Sequence, residues 1–142
     1  MGADFAEVFS RLARASAEIE KIVKFAYYEK LGYLTSCPTN LGTGLRASVH
    51  IWLPQLGNQM DKLTRIADKY NVQIRGVHGE HSESENHIYD VSNKIRMGRS
   101  EVELLQDLYK GIKAIVEEET TFLDAPGTIT GEIIDMPDKD EL

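Results

Sequence analysis

The segment LTSCPTNLGTGLRASVHIWLP, residues 34–54, gathers several side chains that could perform chemistry. It contains the single cysteine of the chain, Cys37, followed by Pro38, a turn with two glycines, and Arg46. A nearby cation would favour the thiolate form of Cys37, which is the nucleophilic form. A single cysteine is more often a small buried apolar residue, and no Cys–His pair with a supporting motif accompanies this one. The cysteine alone therefore does not define a reaction.

The glycine turn and the arginine after it form a second candidate. Gly42-Thr43-Gly44 could bring backbone N–H groups close to an anion, and Arg46 could add bidentate hydrogen bonds to phosphate oxygens. The turn matches neither of two phosphate-binding patterns, G-x-x-x-x-G-K and G-x-G-x-x-G. An ordinary hairpin turn explains the same residues equally well. Both interpretations stay open from these residues alone.

A second arginine lies on the polar side of a later predicted strand. Arg75 and Arg46, on neighbouring strands of one sheet, would form a clamp for phosphate groups. Phosphoryl transfer depends mostly on positioning and charge neutralisation, which such a clamp supplies. Glu80 begins the following loop and could bind a cationic substrate or accept its proton. The alternative for Arg75 and Glu80 is a solvated surface ion pair.

Three histidines in the same region, His78, His81 and His87, match no zinc-binding spacing. We expect them to be solvated loop side chains, and we predict no metal site.

The hydrophobic pattern predicts three helices and four strands. The helices are expected at residues 5–25, after an N-cap at Asn58, and from a capping box at Ser100 and Glu103 to about residue 119. The strands are expected at residues 33–37, 45–53, 72–77 and 87–92. Two hairpin-like strand pairs with helices between them predict an α+β fold, in which helices cover one face of an antiparallel sheet. The other face would carry Arg46, Ser48 and His50.

Composition limits the classes of function. The 142 residues are 42% hydrophobic and 27% charged, as expected for one globular domain. The net charge of -7, with Lys and Arg (Arg96 among them) scattered and assigned no role beyond solubility, argues against nucleic acid as a partner. No apolar run approaches the ~20 residues of a membrane helix. One cysteine fits a reducing compartment, and we expect a cytoplasmic protein.

The last residues have a different composition. Residues 124–142 are rich in Gly, Pro, Asp and Glu and are expected to form an acidic tail or linker. They end in KDEL, an endoplasmic-reticulum retention sequence, which we interpret as a chance match within an acidic tail.

Two segments together resemble a known family. CPTNLGTGLRASVHIWLP and IRGVHGEHSESENHIYDVSNKIRMGRSEVELL resemble the nucleotide-binding core of the phosphagen (guanidino) kinases, and most of all the arginine kinases. The resemblance extends back into EVFSRLARASAEIEK and covers roughly residues 1 to 120. It implies that residues 1–123 are the C-terminal portion of a guanidino-kinase catalytic domain with an antiparallel sheet. The implied activity is phosphoryl transfer between MgATP and a guanidino substrate such as arginine, with Mg²⁺ held mainly through the ATP or ADP.

The resemblance also implies roles for individual residues. Two arginines would clamp the nucleotide phosphates, namely Arg46 and Arg75. Three residues would line the ribose and adenine, namely Ser48, His50 and Asp90. Two residues would act at the guanidino group, Cys37 beside it and Glu80 orienting it.

Several alternatives stay open. The sequence GTG, where arginine kinases commonly have GTT, is similar to creatine kinases and bacterial protein-arginine kinases, so the guanidino substrate is not fixed. GEHSESEN and IYDVSN favour a phosphagen kinase over the bacterial enzyme. A different hypothesis is a non-catalytic fragment that pairs with a second copy or with a missing N-terminal part, since a partial sheet exposes an edge. We expect the chain alone to have little or no kinase activity.

Overall fold

The computed structural model describes residues 4–76 and 87–122. Three α-helices, five strands and two short 3₁₀ turns occur in the described part of the chain. The helices are α1 (Phe5–Glu20), α2 (Met60–Lys69) and α3 (Glu101–Phe122). The strands are β1 (Tyr27–Tyr28), β2 (Gly32–Tyr33), β3 (Ser48–Trp52), β4 (Val72–Gly76) and β5 (Ile88–Asn93). The predicted α+β class with an antiparallel sheet is confirmed.

The larger sheet has three strands in the order β3-β5-β4, and both pairings are antiparallel. The predicted pairing of residues 72–77 with 87–92 is confirmed by β4 and β5. The predicted pairing of residues 33–37 with 45–53 is wrong, because β2 pairs with β1 and β3 pairs with β5. Because β1 and β2 are close in sequence, their hairpin supplies hydrogen-bond partners for the backbone of β2 at a small entropic cost of loop closure.

The two faces of this sheet differ in polarity. Apolar side chains of one face, including Val49, Val72 and Val91, belong to a hydrophobic core that α2 and α3 complete. Both helices bury side chains in this core, namely Leu63 and Ala67 from α2 and Leu108 and Ile115 from α3. The residues that alternate with the apolar ones along each strand are mostly polar and lie on the opposite face. One covered face and one polar face were predicted, and the structure has both.

Local capping decides where the helices begin. Asp4 accepts a hydrogen bond from the backbone N–H of Glu7 at 2.9 Å, and Ser100 and Glu103 form the predicted reciprocal capping box. The expected N-cap at Asn58 is wrong, since α2 is preceded by a 3₁₀ turn, Leu56–Asn58. Asn58 instead donates its side-chain amide to the carbonyl of Pro54 at 2.8 Å.

The 3₁₀ turn before α2 is held by the buried carboxylate of Glu119. Its two oxygens accept hydrogen bonds from the backbone N–H groups of Gln55 at 2.9 Å and Leu56 at 2.7 Å. A carboxylate with two backbone donors at a turn N-terminus satisfies N–H groups that otherwise lack partners. This contact ties the end of α3 to the start of α2.

The helix α1 differs from α2 and α3, because none of its residues is buried. It ends at Glu20 rather than near residue 25, and the following residues lead into the β1–β2 hairpin. Val8, Leu12 and Ile19 on its apolar side are exposed. The predicted amphipathic helix is confirmed, and its apolar side is only partly covered within the described residues, by the packing of Phe5 against the core.

A search of the described residues finds no helix that combines the length and apolar character needed to cross a membrane.

Candidate functional site

The centre of the polar sheet face is Asp90, on the middle strand β5. Its register neighbours are His50 on β3 and Arg75 on β4. Residues that lie directly opposite each other in antiparallel strands project to the same face, so these three side chains form one row. Asp90 is only 8% exposed, which places a carboxylate in a partly desolvated position between two strands.

Asp90 forms an ion pair with Arg46, whose Nη2 donates to Oδ2 of the carboxylate. The second oxygen, Oδ1, lies 3.8 Å from Nε2 of His50 and has no hydrogen-bond partner among the described residues. A buried acceptor without a partner is costly, so it is a natural position for a donor from a ligand. Arg46 keeps about a third of its side chain exposed and can reach a bound anion.

The neighbouring row of the same face contains Ser48, Ser92 and Gln73. The side chain of Gln73 accepts a hydrogen bond from Nη2 of Arg75 at 2.9 Å, which orients that guanidinium group. Ser92 is fully buried, and its hydroxyl has no hydrogen-bond partner in the described part of the chain. The polar face therefore offers oriented cations together with buried polar groups.

The position of Arg46 depends on Asn93, at the end of β5. The side-chain amide of Asn93 donates to the carbonyl of Leu45 at 3.1 Å, and its oxygen accepts from the N–H of Ala47 at 2.9 Å. These bonds hold the backbone on both sides of Arg46. The strand β3 begins at Ser48 rather than at residue 45, and just before it the N–H of Ala47 is bonded to the side chain of Asn93 instead of to a strand backbone. Asn93 is almost fully buried.

A third arginine, Arg96, lies in the same cluster. It is 7% exposed, so the expectation that it serves only solubility is wrong. Burial lowers the pKa of Arg96 below its ordinary value, and the positive charges of Arg46 and Arg75 lower this pKa further, whereas Cys37 acts in the opposite direction. Three guanidinium groups thus lie close enough to interact, and only that of Arg46 is seen paired with Asp90, on a chain of net charge -7. This excess of positive charge suits an anionic ligand.

Cys37 lies outside the strands, at the N-cap position of a 3₁₀ turn, Pro38–Asn40. Its side chain is exposed, so the interpretation as a buried apolar residue is wrong. The sulfur lies 3.0 Å from the hydroxyl oxygen of Thr39, and the hydroxyl of Thr35 donates to the carbonyl of Cys37 at 2.7 Å. The cation expected near this thiol is supplied by Arg96.

The glycine turn packs against the segment that follows β5. The N–H of Thr43 donates to the carbonyl of Arg96 at 2.9 Å, and the carbonyl of Gly42 accepts from the N–H of Tyr33 at 2.7 Å. Gly42 has a φ of 106°, and a Cβ there would collide with the carbonyl of Arg96. The hairpin interpretation is wrong, because the turn does not join two paired strands. The N–H of Thr43 is already bonded within the chain, and binding of an anion by the rest of the turn stays a prediction.

The structure brings together six of the seven site residues that the sequence predicts, five at the polar face and Cys37 on the adjoining loop. The expectation that Arg46 and Arg75 lie on neighbouring strands is wrong, because Arg46 precedes β3 and β5 lies between β3 and β4. Glu80 lies outside the described residues, as do His78, His81, the loop 79–86 and the tail 124–142. His87 is half-buried at the start of β5, so it is not a solvated loop side chain. Sequence reasoning missed Ser92, Asn93 and Arg96. The alternation along β5 could have placed Ser92 on the same face as Asp90. The positions of Asn93 and Arg96 at the site depend on which strands pair, and the local sequence pattern does not show that.

No group of three His, Cys, Asp or Glu side chains within residues 4–76 and 87–122 could hold a metal ion. The donors of this face are mainly cationic, so a magnesium ion fits here only when oxygens of an anionic ligand hold it.

The geometry defines an arginine-bearing sheet face beside a cysteine loop, and comparison with known proteins identifies the family of the chain. The model of the C-terminal catalytic domain of ATP:guanido phosphotransferases matches residues 1–122, and the chain belongs to this family. The resemblance inferred from the sequence is thereby confirmed. Arginine kinase of Penaeus japonicus is 51% identical over 119 residues, which are 84% of this chain and 34% of that protein. The chain spans about a third of the length of such curated relatives.

Solved structures of two guanidino kinases have the same fold. The duplicated taurocyamine kinase from Schistosoma mansoni, with bound transition state analog components, superposes with a TM-score of 0.81 at 42% identity. That superposition covers 84% of this chain and 17% of the other. A lombricine kinase superposes with a TM-score of 0.71 at 39% identity, covering 92% of this chain and 35% of the other.

Proposed function

We propose that this chain is the nucleotide-binding portion of an enzyme that transfers a phosphoryl group between MgATP and a small guanidino compound. The observation that carries the proposal is the cluster of Arg46, Arg75 and Arg96 at the polar face of the sheet, where Arg46 is paired with Asp90, in a chain whose family is established. Three converging cations provide the charge neutralisation that phosphoryl transfer needs.

In the proposed reaction, a guanidino nitrogen attacks the γ-phosphorus of ATP. A nitrogen–phosphorus bond forms, the bond from the γ-phosphorus to the β,γ-bridging oxygen breaks, and ADP leaves with that electron pair. The attacking nitrogen loses a proton, and we assign its acceptance to Glu80, which also orients the guanidino group. Magnesium, held through phosphate oxygens, would neutralise charge on the nucleotide.

We assign the remaining residues the roles that their positions favour. Arg46 and Arg75 contact the phosphates, because they approach the polar face from the two sides of β5, where Arg46 pairs with Asp90 and Arg75 lies opposite Asp90 in the register. Ser48, His50 and Asp90 line the ribose and adenine, with the unpartnered Oδ1 of Asp90 as an acceptor for a ligand donor. Cys37 lies beside the substrate guanidinium, where an exposed thiolate would pair with a cation.

Arginine is the substrate we favour, since arginine kinases are the curated relatives at about half identity. The structural neighbours include a taurocyamine kinase and a lombricine kinase, so these guanidino compounds are the competing candidates. The alternative of a bacterial-type protein-arginine kinase predicts phosphorylation of arginine within a protein rather than of the free amino acid.

The test uses a chimera, because the chain corresponds to about a third of its relatives. Residues 1–122 would replace the matching segment of Penaeus japonicus arginine kinase, and ADP release would be measured with arginine, taurocyamine, lombricine and an arginine-containing protein. We expect turnover with free arginine and little or none from the 142-residue chain alone. A folded chimera that transfers phosphate to no guanidino compound would contradict the proposal.

A second candidate, favoured by α1, is that the isolated chain is a self-associating module without activity. The apolar side of α1 is exposed, and β3 and β4 are edge strands of the larger sheet within the described residues. Exposed apolar surface and open strand edges promote association with a second copy or with the remaining part of a domain. Association of the isolated chain and catalysis by the whole protein are compatible.

A further inference from the structure

The side chain and backbone of Arg96 both contact the loop that carries Cys37. Nη1 of Arg96 donates to the carbonyl of Thr39 at 3.0 Å, and the carbonyl of Arg96 accepts from the N–H of Thr43 at 2.9 Å. Gly42 lies so close to this carbonyl that no Cβ fits between them. Arg96 therefore holds the loop at two points, at Thr39 through its side chain and at Thr43 through its backbone carbonyl.

The second link runs from Thr39 to the thiol. The Thr39 hydroxyl lies 3.0 Å from the sulfur of Cys37, so the residue whose carbonyl binds Arg96 also contacts the cysteine. The charged groups around Arg96 are the guanidinium groups of Arg46 and Arg75 and the thiol of Cys37. Asp90, the carboxylate of the same face, is already paired with Arg46.

We propose that Arg96 is a positioning residue, which fixes the Cys37 loop against the arginine face and keeps a positive charge beside the thiol. Arg96 is buried next to two like charges, an unfavourable place for a residue that serves only solubility. The contact with the loop supplies a reason for that burial. This inference deepens the proposed function, because it concerns the cysteine assigned to the guanidino site, but its test requires no turnover.

The experiment measures the single thiol in the 142-residue chain. Alkylation of Cys37 by iodoacetamide is followed from pH 6 to 10, and hydrogen exchange of residues 37–44 is followed by mass spectrometry. The variants are Arg96→Met, which removes the charge at similar length, and Arg96→Lys, which keeps the charge without the planar fork. Lys94→Met is the control, since Lys94 is exposed and pairs with Asp68 at 2.8 Å, away from the loop.

For Arg96→Met, we expect alkylation at pH 7 to slow about three- to tenfold and its pH midpoint to rise, since the thiolate loses a neighbouring cation. Exchange of residues 37–44 should accelerate, while exchange of β5 stays unchanged. Arg96→Lys should restore most of the alkylation rate but keep the faster exchange, and Lys94→Met should match the unsubstituted chain in both measurements.

A wild-type value of either readout in folded Arg96→Met would overturn the proposal. If Arg96→Met does not fold, Arg96→Lys decides, and exchange of residues 37–44 equal to that of Lys94→Met would overturn it. Failure of the chimera to transfer phosphate, with these thiol results as expected, would contradict the proposed function and leave the positioning role intact.

Discussion

Arg46 and Asp90 form an ion pair on the polar face of the sheet, and this pair joins the segment before β3 to the central strand. Asp90 is nearly buried, whereas Arg46 keeps about a third of its side chain exposed. The carboxylate thus orients the guanidinium group, and the exposed part of that group stays accessible to a ligand. Orientation before binding reduces the cost of ordering a long side chain when the ligand arrives.

Removal of the negative charge at the centre of the site should destabilise the chain. Asp90→Asn leaves the guanidinium group of Arg46 without its ion-pair partner. We expect a loss of about 2 kcal/mol in the free energy of unfolding, measured by urea denaturation. The matched control is Asp68→Asn, which breaks the exposed pair with Lys94 and should cost at most about 0.5 kcal/mol. Equal losses in the two variants would show that Asp90 has no central role.

The loss of Asn93 should weaken the fold where Arg46 is held. Asn93→Ala removes three hydrogen bonds between a buried side chain and the backbone, including one to the carbonyl of Ile95 at 2.9 Å. We expect the free energy of unfolding to fall by about 2–3 kcal/mol, since buried backbone groups lose their partners. Asn58→Ala, which removes one exposed bond to Pro54, is the control and should cost less than about 1 kcal/mol. A small loss in Asn93→Ala would contradict the role assigned to its amide.

The fold was more predictable from the sequence than the site. Alternation along Ser48–Trp52 correctly separated a polar face from an apolar one, because a two-residue period survives whichever strand lies alongside. The pairing of β3 with β5 did not follow from that pattern, since hydrophobic alternation fixes a face and not a neighbour. Arg96 illustrates the consequence. Its position beside Arg46, Arg75 and the Cys37 loop results from the strand order, which no local pattern encodes.

Anions with several negative charges should stabilise the chain. Pyrophosphate can contact more than one of the guanidinium groups of Arg46, Arg75 and Arg96 and reduce their mutual repulsion. We expect a rise of about 2–5 °C in the unfolding midpoint at saturating pyrophosphate, compared with sodium chloride of equal ionic strength. Arg46→Met should reduce this rise to less than half. An equal rise in both proteins would mean that pyrophosphate binds somewhere else.

The apolar side of α1 should make the isolated chain associate. Val8 and Ile19 are exposed and lie on one side of the helix, so their replacement by serine removes apolar surface without changing the core. We expect the unsubstituted chain to show a mass that increases with concentration in sedimentation experiments, and Val8→Ser/Ile19→Ser to stay monomeric. The control Arg11→Ser/Glu18→Ser changes exposed polar positions of the same helix. A monomer at high concentration for the unsubstituted chain would contradict association through α1.

The most direct test of the central claim is the turnover of the chimera carrying Arg46→Met, measured as ADP release with arginine. Arg65→Met, at an exposed arginine of α2, is the matched control. If Arg46 neutralises charge on the transferred phosphoryl group, kcat should fall by about 100-fold or more, whereas Arg65→Met should stay within about twofold of the parent chimera. Turnover of Arg46→Met equal to that of Arg65→Met would contradict the claim that this sheet face binds and activates the nucleotide.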